Sequence, residues 1–327
     1  MPKQQDLQFI YRLHPEWDKK TVKVKKAGGQ TNRNYIVTFK EKKFFVRLPW
    51  ERGDVVNRRA EGRNITALSR NKKLRAILPR YYSYIFNKKN ILAPEKKELI
   101  EVPEGTMVTE FIEGKEFTMG DFRQKKHQKT LAQMFCTFHK SGVRFANSYS
   151  VFRDEIRKYR KKARALPLKR FLDRKTISQL LVLESKAERE LSSLQKGIST
   201  HNDFIFQNFL IGKDKKIYLL DFEYAGLNKK GGIPYDFGFL FADNLFRKPK
   251  MTKALFEQFL WIADRAYQKK LDREQIYWSA IAATLVQVWW GILRYFSVPI
   301  KERPYFKDYV TRRIQGIGKI FNDLKKE

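Results

Sequence analysis

Alternating apolar and polar residues in the first third of the chain predict β-strands joined by short turns. The predicted strands are Thr21–Ala27, Asn34–Phe39, Lys43–Leu48, Leu74–Phe86 and Glu98–Ile112. A Gly28-Gly29 turn separates the first two strands, and a charged turn precedes the third. Between the third and fourth strands, Asp54–Ser69 has helical spacing, with Ile65 and Leu68 on one face. We therefore expect a small antiparallel sheet with one helix.

The pattern changes after Glu113-Gly114, where apolar residues recur at helical spacing. The predicted helices are His127–Ser141, Asp154–Arg164 and Thr176–Leu194, and the chain from Thr252 onward is mostly helical. Two short apolar strands, Phe209–Ile211 and Ile217–Leu220, interrupt this region. A strand-rich first third followed by a helix-rich remainder predicts an α+β fold with two lobes, residues 1–112 and 113–327.

Composition allows a folded enzyme of this size and indicates a reducing compartment. The chain has 327 residues, of which 42% are hydrophobic, so it can bury a sizeable core. Its single cysteine, Cys136, can form neither an internal disulfide nor a zinc cage. Met1–Asp6 lacks the apolar stretch of a signal peptide, and Trp278–Leu293 is shorter than the ~20 apolar residues of a membrane span. We therefore expect a cytoplasmic protein in which Trp278–Leu293 is a buried helix.

The charge of the chain is strongly positive, with 68 Lys and Arg against 35 Asp and Glu, a net charge of +33. Such a surface attracts polyanions and anionic membranes over long distances. The basic residues are spread along the chain and follow neither an RNA-binding signature nor a zinc-finger spacing. We interpret most of them as a solvated surface and expect no nucleic-acid partner, with peripheral contact to an anionic membrane as the alternative.

The segment His201–Asn208 carries the most informative chemistry. Asp203 precedes Asn208 by five residues, and Asp221 follows on a predicted hairpin. Kinase catalytic loops have this spacing, because phosphoryl transfer needs an oriented acceptor hydroxyl and Mg²⁺ to neutralise developing charge. Asp203 is the candidate base that takes the hydroxyl proton, and Asn208 and Asp221 supply the oxygen ligands that Mg²⁺ prefers. The pattern predicts ATP and Mg²⁺ as cofactors.

The first lobe contains residues suited to nucleotide binding. The predicted phosphate loop is Gly28, Gly29, Gln30, Thr31 and Asn32, although a Gly-Gly turn alone is also typical of a plain hairpin. Arg47 stands in the third strand where kinases place a phosphate-binding Lys, and Glu61 is its predicted ion-pair partner or else a solvated carboxylate. The backbone around Glu110 and Ile112 is expected to form hydrogen bonds with adenine.

Four stretches of the sequence resemble one known family. They are GGQTNRNY at 28–35, FFVRLPW at 44–50, THNDFIFQNFLI at 200–211 and LLDFEYAGLN at 219–228. They resemble the choline/ethanolamine kinases, a branch of the aminoglycoside-phosphotransferase-like kinases, and bacterial choline kinases in particular. The resemblance implies a two-lobed protein-kinase-like fold, with a nucleotide-binding N-terminal lobe and a larger, mainly helical C-terminal lobe for catalysis and acceptor binding. It also implies a small amino-alcohol acceptor.

The acceptor-binding residues that the resemblance implies are Glu223, Tyr224, Asp243, Trp289, Trp290 and Tyr309. A quaternary ammonium ion has no hydrogen-bond donor, so its pocket needs aromatic faces and a nearby carboxylate. Trp289 and Trp290 are adjacent, whereas the family often has two tryptophans three residues apart, so at most one aligns. Glu223 alternatively supports the metal site. Asp236 also matches a family aspartate, and we expect His139 to be packed or hydrogen-bonded rather than catalytic.

Two alternatives remain beside a choline or ethanolamine kinase. One is a kinase of the same fold with another acceptor, such as thiamine, an aminoglycoside or a sugar. The other is a basic polyanion-binding protein without catalysis. The presence of Asp203, Asn208 and Asp221 argues against it, because these are the candidate base and the two candidate metal ligands.

Overall fold

The computed structural model describes residues 2–28, 32–49, 56–86, 89–93, 98–168, 172–191 and 193–324. The chain forms two compact units. The first contains Met1–Lys115 and Leu210–Tyr224, and the second contains Glu116–Phe209 and Ala225–Glu327. The first unit is rich in strands and the second in helices, as the hydrophobic pattern predicts.

The regular elements occur along the chain as follows. The strands are β1 (Val22–Ala27), β2 (Asn32–Phe39), β3 (Lys42–Pro49), β4 (Tyr81–Tyr84), β5 (Lys89–Ala93), β6 (Glu98–Val102), β7 (Met107–Glu110), β8 (Gly114–Glu116), β9 (Ser148–Tyr149), β10 (Ser193–Thr200), β11 (Phe209–Gly212), β12 (Ile217–Leu219) and β13 (Gly226–Lys230). The helices are α1 (Gln4–Tyr11), α2 (Arg58–Arg70), α3 (Met119–Phe122), α4 (Lys125–His139), α5 (Arg157–Ala163), α6 (Arg174–Glu190), α7 (Gly232–Leu245), α8 (Lys253–Tyr267), α9 (Arg273–Ser297) and α10 (Arg303–Leu324). Short 3-10 or π-helical turns lie at Lys72–Leu74, Val151–Ile156, Phe206–Asn208 and Ile300–Glu302.

The first unit is built on a five-stranded antiparallel sheet in the order β1-β2-β3-β7-β4. Alternate residues of β2 are buried, because one face of the sheet is covered by the apolar side of α1 and the loop that follows it. Phe9 of α1 and Trp17 pack with Val37, Val46 and Val108 in this core. Two smaller sheets, β5-β6 and β12-β11-β8, complete the strands of this unit.

Helix α2 begins at Arg58 because Asn57 caps its N-terminus, accepting a hydrogen bond from the Ala60 amide at 3.0 Å. Ile65 and Leu68 are buried, as the sequence predicts. The charged side chains of Arg58 and Glu61 are also buried, which the amphipathic pattern does not predict. This helix therefore supplies polar groups to the interior of the unit.

Helix α9 is the centre of the second unit and packs against α5, α6, α7 and α10. Gly238 allows α7 to approach closely, since a Cβ there would lie 2.6 Å from the Ala280 amide nitrogen. Of the helices in the described part of the chain, α9 alone is long and apolar enough to cross a membrane, and 89% of its most apolar window is buried inside the fold. The prediction of a buried helix at Trp278–Leu293 is therefore confirmed.

Several predicted elements have different bounds in the structure. The predicted strand Leu74–Phe86 is wrong over its first half, because only β4 pairs with the sheet. The predicted strand Glu98–Ile112 is two strands, β6 and β7, in different sheets. The predicted helix Thr176–Leu194 ends at Glu190, and Ser193 already belongs to β10.

Helix α7 was not predicted, because it is buried on nearly every face and so has no amphipathic period. Asp54, at the predicted start of the first helix, lies outside the described residues.

Candidate active site

The predicted catalytic loop, residues 201–208, lies in the second unit and follows β10. The Nδ2 amide of Asn208 donates to Asp203 Oδ2 at 2.9 Å and to the Asp203 carbonyl oxygen at 2.8 Å. The five-residue spacing makes these bonds possible because the chain turns back through the 3-10 turn Phe206–Asn208. Donation through Nδ2 leaves Oδ1 as the atom with which Asn208 can ligand a metal ion.

Aromatic side chains anchor this loop to the core of the second unit. Phe204, Phe206 and Phe209 are buried, whereas Asp203 is half-buried. The Phe204 ring lies 4.1 Å from the Phe135 ring of α4, measured between centroids. Burial of the apolar positions therefore fixes the loop while the Asp203 carboxylate retains access to solvent.

A buried carboxylate holds the backbone beside Asp203. Asp236 of α7 is fully buried and accepts hydrogen bonds from the amides of His201 at 3.0 Å and Asn202 at 2.7 Å. The Nε2 atom of His139 lies 2.8 Å from Asp236 Oδ2, so the expectation that His139 is hydrogen-bonded is confirmed. Asn202 adopts a left-handed conformation with φ of 67°. Asparagine tolerates this conformation well, and Asp236 therefore acts as a positioning residue for the loop.

Sequence reasoning missed Glu155, which is buried in the π-helical turn Val151–Ile156. The Tyr149 hydroxyl donates to Glu155 Oε1 and lies 3.4 Å from the Tyr235 hydroxyl. Burial, reinforced by the charge of Asp203, raises the pKa of Glu155 to about 8. A π-helical turn has no 3.6-residue period, so no sequence pattern indicates that this glutamate turns inward.

In the first unit, a buried ionic network surrounds Arg47. Its Nη2 atom lies 2.7 Å from Glu61 Oε1, so the predicted ion pair is present, and its Nη1 atom lies 3.5 Å from Asp221 Oδ1. Arg58, which no motif in the sequence marks, is 3.0 Å from Glu61 Oε2. Although burial opposes ionisation, Arg47 and Arg58 hold the pKa of Glu61 below its usual range. The network therefore keeps a cation in place beside Asp221.

Glu223 and Asn32 belong to the same network. Arg58 Nη1 donates to Glu223 Oε2 at 3.2 Å, and Arg58 Nη2 donates to Asn32 Oδ1 at 3.3 Å. Asn32 Nδ2 in turn lies 3.4 Å from Glu223 Oε2. Burial and the neighbouring Asp221 carboxylate raise the pKa of Glu223. Glu223 therefore belongs to the same buried ionic network as Arg47 and Asp221.

The structure describes only some of the other residues that are predicted to bind nucleotide. Gly29, Gln30 and Thr31 lie outside the described residues, whereas the Gly28 carbonyl accepts from Asn34 Nδ2 at 2.8 Å. The Glu110 amide donates to the Arg80 carbonyl at 2.8 Å, and the Phe111 amide donates to the Lys43 carbonyl at 3.3 Å. An amide contact to adenine from this segment would therefore have to come from Ile112.

Arginines engage the residues predicted to face a substrate cation. The Asp243 carboxylate lies 2.6 Å from Arg247 Nε and 3.6 Å from Arg313 Nη2. The guanidinium carbon of Arg313 lies 3.3 Å from the centroid of the Tyr309 ring. Because Arg313 is buried, this cation–π contact is desolvated and strong. The protein's own cation therefore occupies the aromatic face and the carboxylate together.

The two adjacent tryptophans occupy different environments. Trp289 is 1% exposed and belongs to the core, whereas Trp290 is half-buried. The Trp290 ring lies 5.6 Å from Tyr309 and 5.9 Å from Phe306, measured between centroids. Trp290 is therefore the tryptophan that shares a surface with Tyr309. Tyr224 is half-buried at the end of the first unit.

Solved structures of related kinases share this fold. The chain aligns with a Plasmodium vivax ethanolamine kinase at a TM-score of 0.70 and 17% identity, covering 98% of this chain and 88% of that one. The choline kinase LicA from Streptococcus pneumoniae aligns at a TM-score of 0.65 and 21% identity, covering 91% and 94%. A structure of LicA in complex with AMP aligns at 0.70 and 20% identity, covering 96% and 97%. The prediction of an α+β, two-lobed protein-kinase-like fold is confirmed.

Sequence comparison agrees with the structural likeness. A probable ethanolamine kinase from Arabidopsis thaliana is 28% identical over 132 residues, which are 38% of this chain. The match spans 35% of the length of that relative. The sequence model of the choline/ethanolamine kinase family matches residues 24–257, well over half of the chain. The chain therefore belongs to the choline/ethanolamine kinase family.

Proposed function

We propose that this protein is an ATP-dependent phosphotransferase that phosphorylates the hydroxyl of a small amino alcohol, choline or ethanolamine. Membership of the family supports kinase-type phosphotransfer to a small substrate. The observation that carries the proposal is the hydrogen-bonded pair of Asp203 and Asn208 in a loop whose backbone Asp236 fixes. A base held in this way can orient a hydroxyl without reorganising during the reaction.

In the proposed mechanism, Asp203 accepts the proton of the acceptor hydroxyl and aligns its oxygen for attack on the γ-phosphorus of ATP. The bond from that phosphorus to the β,γ-bridging oxygen breaks, and ADP leaves. The half-buried position of Asp203 allows a substrate hydroxyl to reach it. Asp236 removes backbone freedom next to this carboxylate, because two amides of the loop donate to it. General-base catalysis of this kind contributes ~10²–10⁴-fold.

The first unit supplies the proposed nucleotide contacts. Arg47 is held by Glu61 at 2.7 Å, so its guanidinium is pre-positioned for phosphate oxygens, and it stays charged because Glu61 offsets the cost of burial. We assign the loop Gly28–Asn32 to the phosphates and the backbone of Glu110 to Ile112 to adenine. The complex of LicA with AMP supports adenine-nucleotide binding by this fold.

The chemistry of the proposed metal ligands fits Mg²⁺. Asn208 offers Oδ1, and Asp221 offers a carboxylate that is 32% exposed. Across the residues that the structure describes, no three His, Cys, Asp or Glu side chains form a self-sufficient metal site. Proteins usually hold Mg²⁺ with one or two side chains together with substrate phosphates and water. Bound there, Mg²⁺ would neutralise charge on the phosphates.

One observation favours a second acceptor class. Arg313 covers Tyr309, and Arg247 and Arg313 both pair with Asp243, so neither group is available to a substrate cation without rearrangement. A neutral polyol such as a sugar would need no such rearrangement. Among kinases of the same fold with another acceptor, a sugar kinase is therefore the second candidate.

An ATP-consumption screen over choline, ethanolamine, thiamine, an aminoglycoside and simple sugars tests the proposal. We expect turnover above the acceptor-free rate with choline or ethanolamine. Turnover with a sugar, and with neither amino alcohol, would mean that the protein is a kinase with a different acceptor. The absence of both turnover and nucleotide binding would contradict the kinase and favour the polyanion-binding alternative.

The adjacent tryptophans provide a matched pair for testing the acceptor site. Trp290→Leu should raise the KM for choline roughly tenfold or more and leave the KM for ATP nearly unchanged, because a cation over an aromatic face gains ~2 kcal/mol when desolvated. Trp289→Leu should instead lower the melting temperature and preserve the ratio of the two KM values, because Trp289 is a core residue. Equal effects of both substitutions on the KM for choline would contradict this assignment.

A further inference from the structure

A basic groove lies in the second unit between the end of α7 with its following segment and one face of α10. It has a volume of about 500 Å³. Its cationic lining residues are Arg247, Lys248, Lys250, Arg312 and Lys319. Leu245, Phe246 and Gly316 add an apolar part. Gly316 is required for this shape, since a Cβ there would lie 2.0 Å from the Phe246 ring.

The positive charge of the basic groove is only partly compensated. Arg247 pairs with Asp243 at 2.6 Å, and Arg312 pairs with Asp308. Within the described part of the chain, no carboxylate pairs with Lys248, Lys250 or Lys319, and all three lysines are exposed. The groove therefore presents an excess of three positive charges to a ligand, beside two arginines that are already held in place.

Two exposed apolar side chains lie at and just before the N-terminal end of α10. Tyr305 is 57% exposed and precedes Arg312 by two helical turns, so it lies on the same face of α10. Ile300, in the 3-10 turn immediately before α10, is 78% exposed. Exposed lysines combined with an exposed tyrosine and an exposed isoleucine suit the interface of an anionic bilayer.

We propose that the basic groove, with Tyr305 and Ile300, docks the protein on an anionic membrane surface. Lys248, Lys250 and Lys319 contact lipid phosphate groups, and the two apolar side chains insert at the level of the head groups. Nucleic acid fits this surface less well, because single strands need aromatic stacking platforms and duplexes need a longer basic track. Ile300 offers no stacking face. This docking role is independent of the proposed catalytic function.

Sedimentation of the 327-residue chain with phosphatidylcholine vesicles, with and without phosphatidylserine, tests the proposal at physiological salt. We expect saturable binding only to the vesicles that contain phosphatidylserine. The variant K248E/K250E/K319E should bind at least about 100-fold more weakly, because each lysine near such a surface contributes roughly fivefold. The matched control K125E/K126E/K129E makes the same change in net charge on the exposed face of α4. It should retain most of the binding.

Equal loss of binding in the two triple variants would overturn the proposal, because the effect would then follow net charge rather than the groove. Tyr305→Ser combined with Ile300→Ser should further weaken binding without altering the charge, and unchanged binding would contradict insertion. Release from vesicles by inorganic phosphate at low concentration would indicate a soluble phosphate ligand instead. Tighter, groove-dependent retention on DNA would indicate a nucleic-acid partner. Melting temperatures confirm that each variant is folded.

Discussion

Asp203→Asn is expected to lower kcat by at least ~10²–10⁴-fold while ATP still binds. The substitution keeps the size of the side chain and removes its ability to accept a proton. In the wild type, Asn208 Nδ2 lies 2.9 Å from the Asp203 carboxylate. An asparagine at position 203 retains an oxygen that can accept this hydrogen bond, so the loop should keep its conformation. Asp236 continues to hold the loop through the amides of His201 and Asn202.

The measurement is kcat together with the dissociation constant for ATP and the melting temperature. Asp214→Asn is a matched control, because Asp214 is an exposed carboxylate on the turn between β11 and β12. It should leave kcat unchanged. A folded Asp203→Asn variant with the kcat of the wild type would show that Asp203 is not the base.

Asp221→Ala should abolish Mg²⁺-dependent turnover and weaken the binding of MgATP, because it removes the anionic ligand. The network around Arg47 should survive, since the pair with Glu61 at 2.7 Å is closer than the contact with Asp221 at 3.5 Å. Asp221 has a positive φ of 58°, a conformation that strains alanine more than asparagine. Asp221→Asn therefore separates the loss of charge from backbone strain.

Turnover measured over a range of Mg²⁺ concentrations, with binding of ATP in the presence and absence of Mg²⁺, checks this prediction. We expect Mg²⁺ to strengthen ATP binding much less in both variants than in the wild type. The melting temperature of Asp221→Asn should be closer to that of the wild type than the melting temperature of Asp221→Ala. Wild-type activity of either variant at ordinary Mg²⁺ concentration would mean that the metal is bound elsewhere.

Local sequence was sufficient where chemistry depends on spacing along the chain. The interval between Asp203 and Asn208 predicts the loop, and the structure joins the two side chains by a hydrogen bond because both lie in one short turn. The strand that carries Arg47 and the helix that carries Glu61 are neighbours in sequence, so their ion pair was also predictable. The assignment of these residues to catalysis and nucleotide binding stays a prediction.

The sequence could not predict pairs that the fold brings together from distant segments. Arg58 meets Glu223, and Arg313 meets Asp243 and Tyr309, only after strands and helices have packed. These contacts changed the interpretation of the acceptor site, because a pattern of aromatic and acidic residues does not show whether an arginine of the protein already occupies it. Composition likewise shows the net charge of +33, but it does not show which basic residues meet in the basic groove.

The sequence by itself determined the family of the chain, the spacing of Asp203 and Asn208 and the division into strand-rich and helix-rich parts, because each follows from short-range pattern. Only the tertiary structure decided which of Trp289 and Trp290 is buried. Consecutive residues on a helix point about 100° apart, so they face different surroundings. On a helix as uniformly apolar as α9, no periodicity marks either direction, and the packing of the surrounding helices makes the distinction.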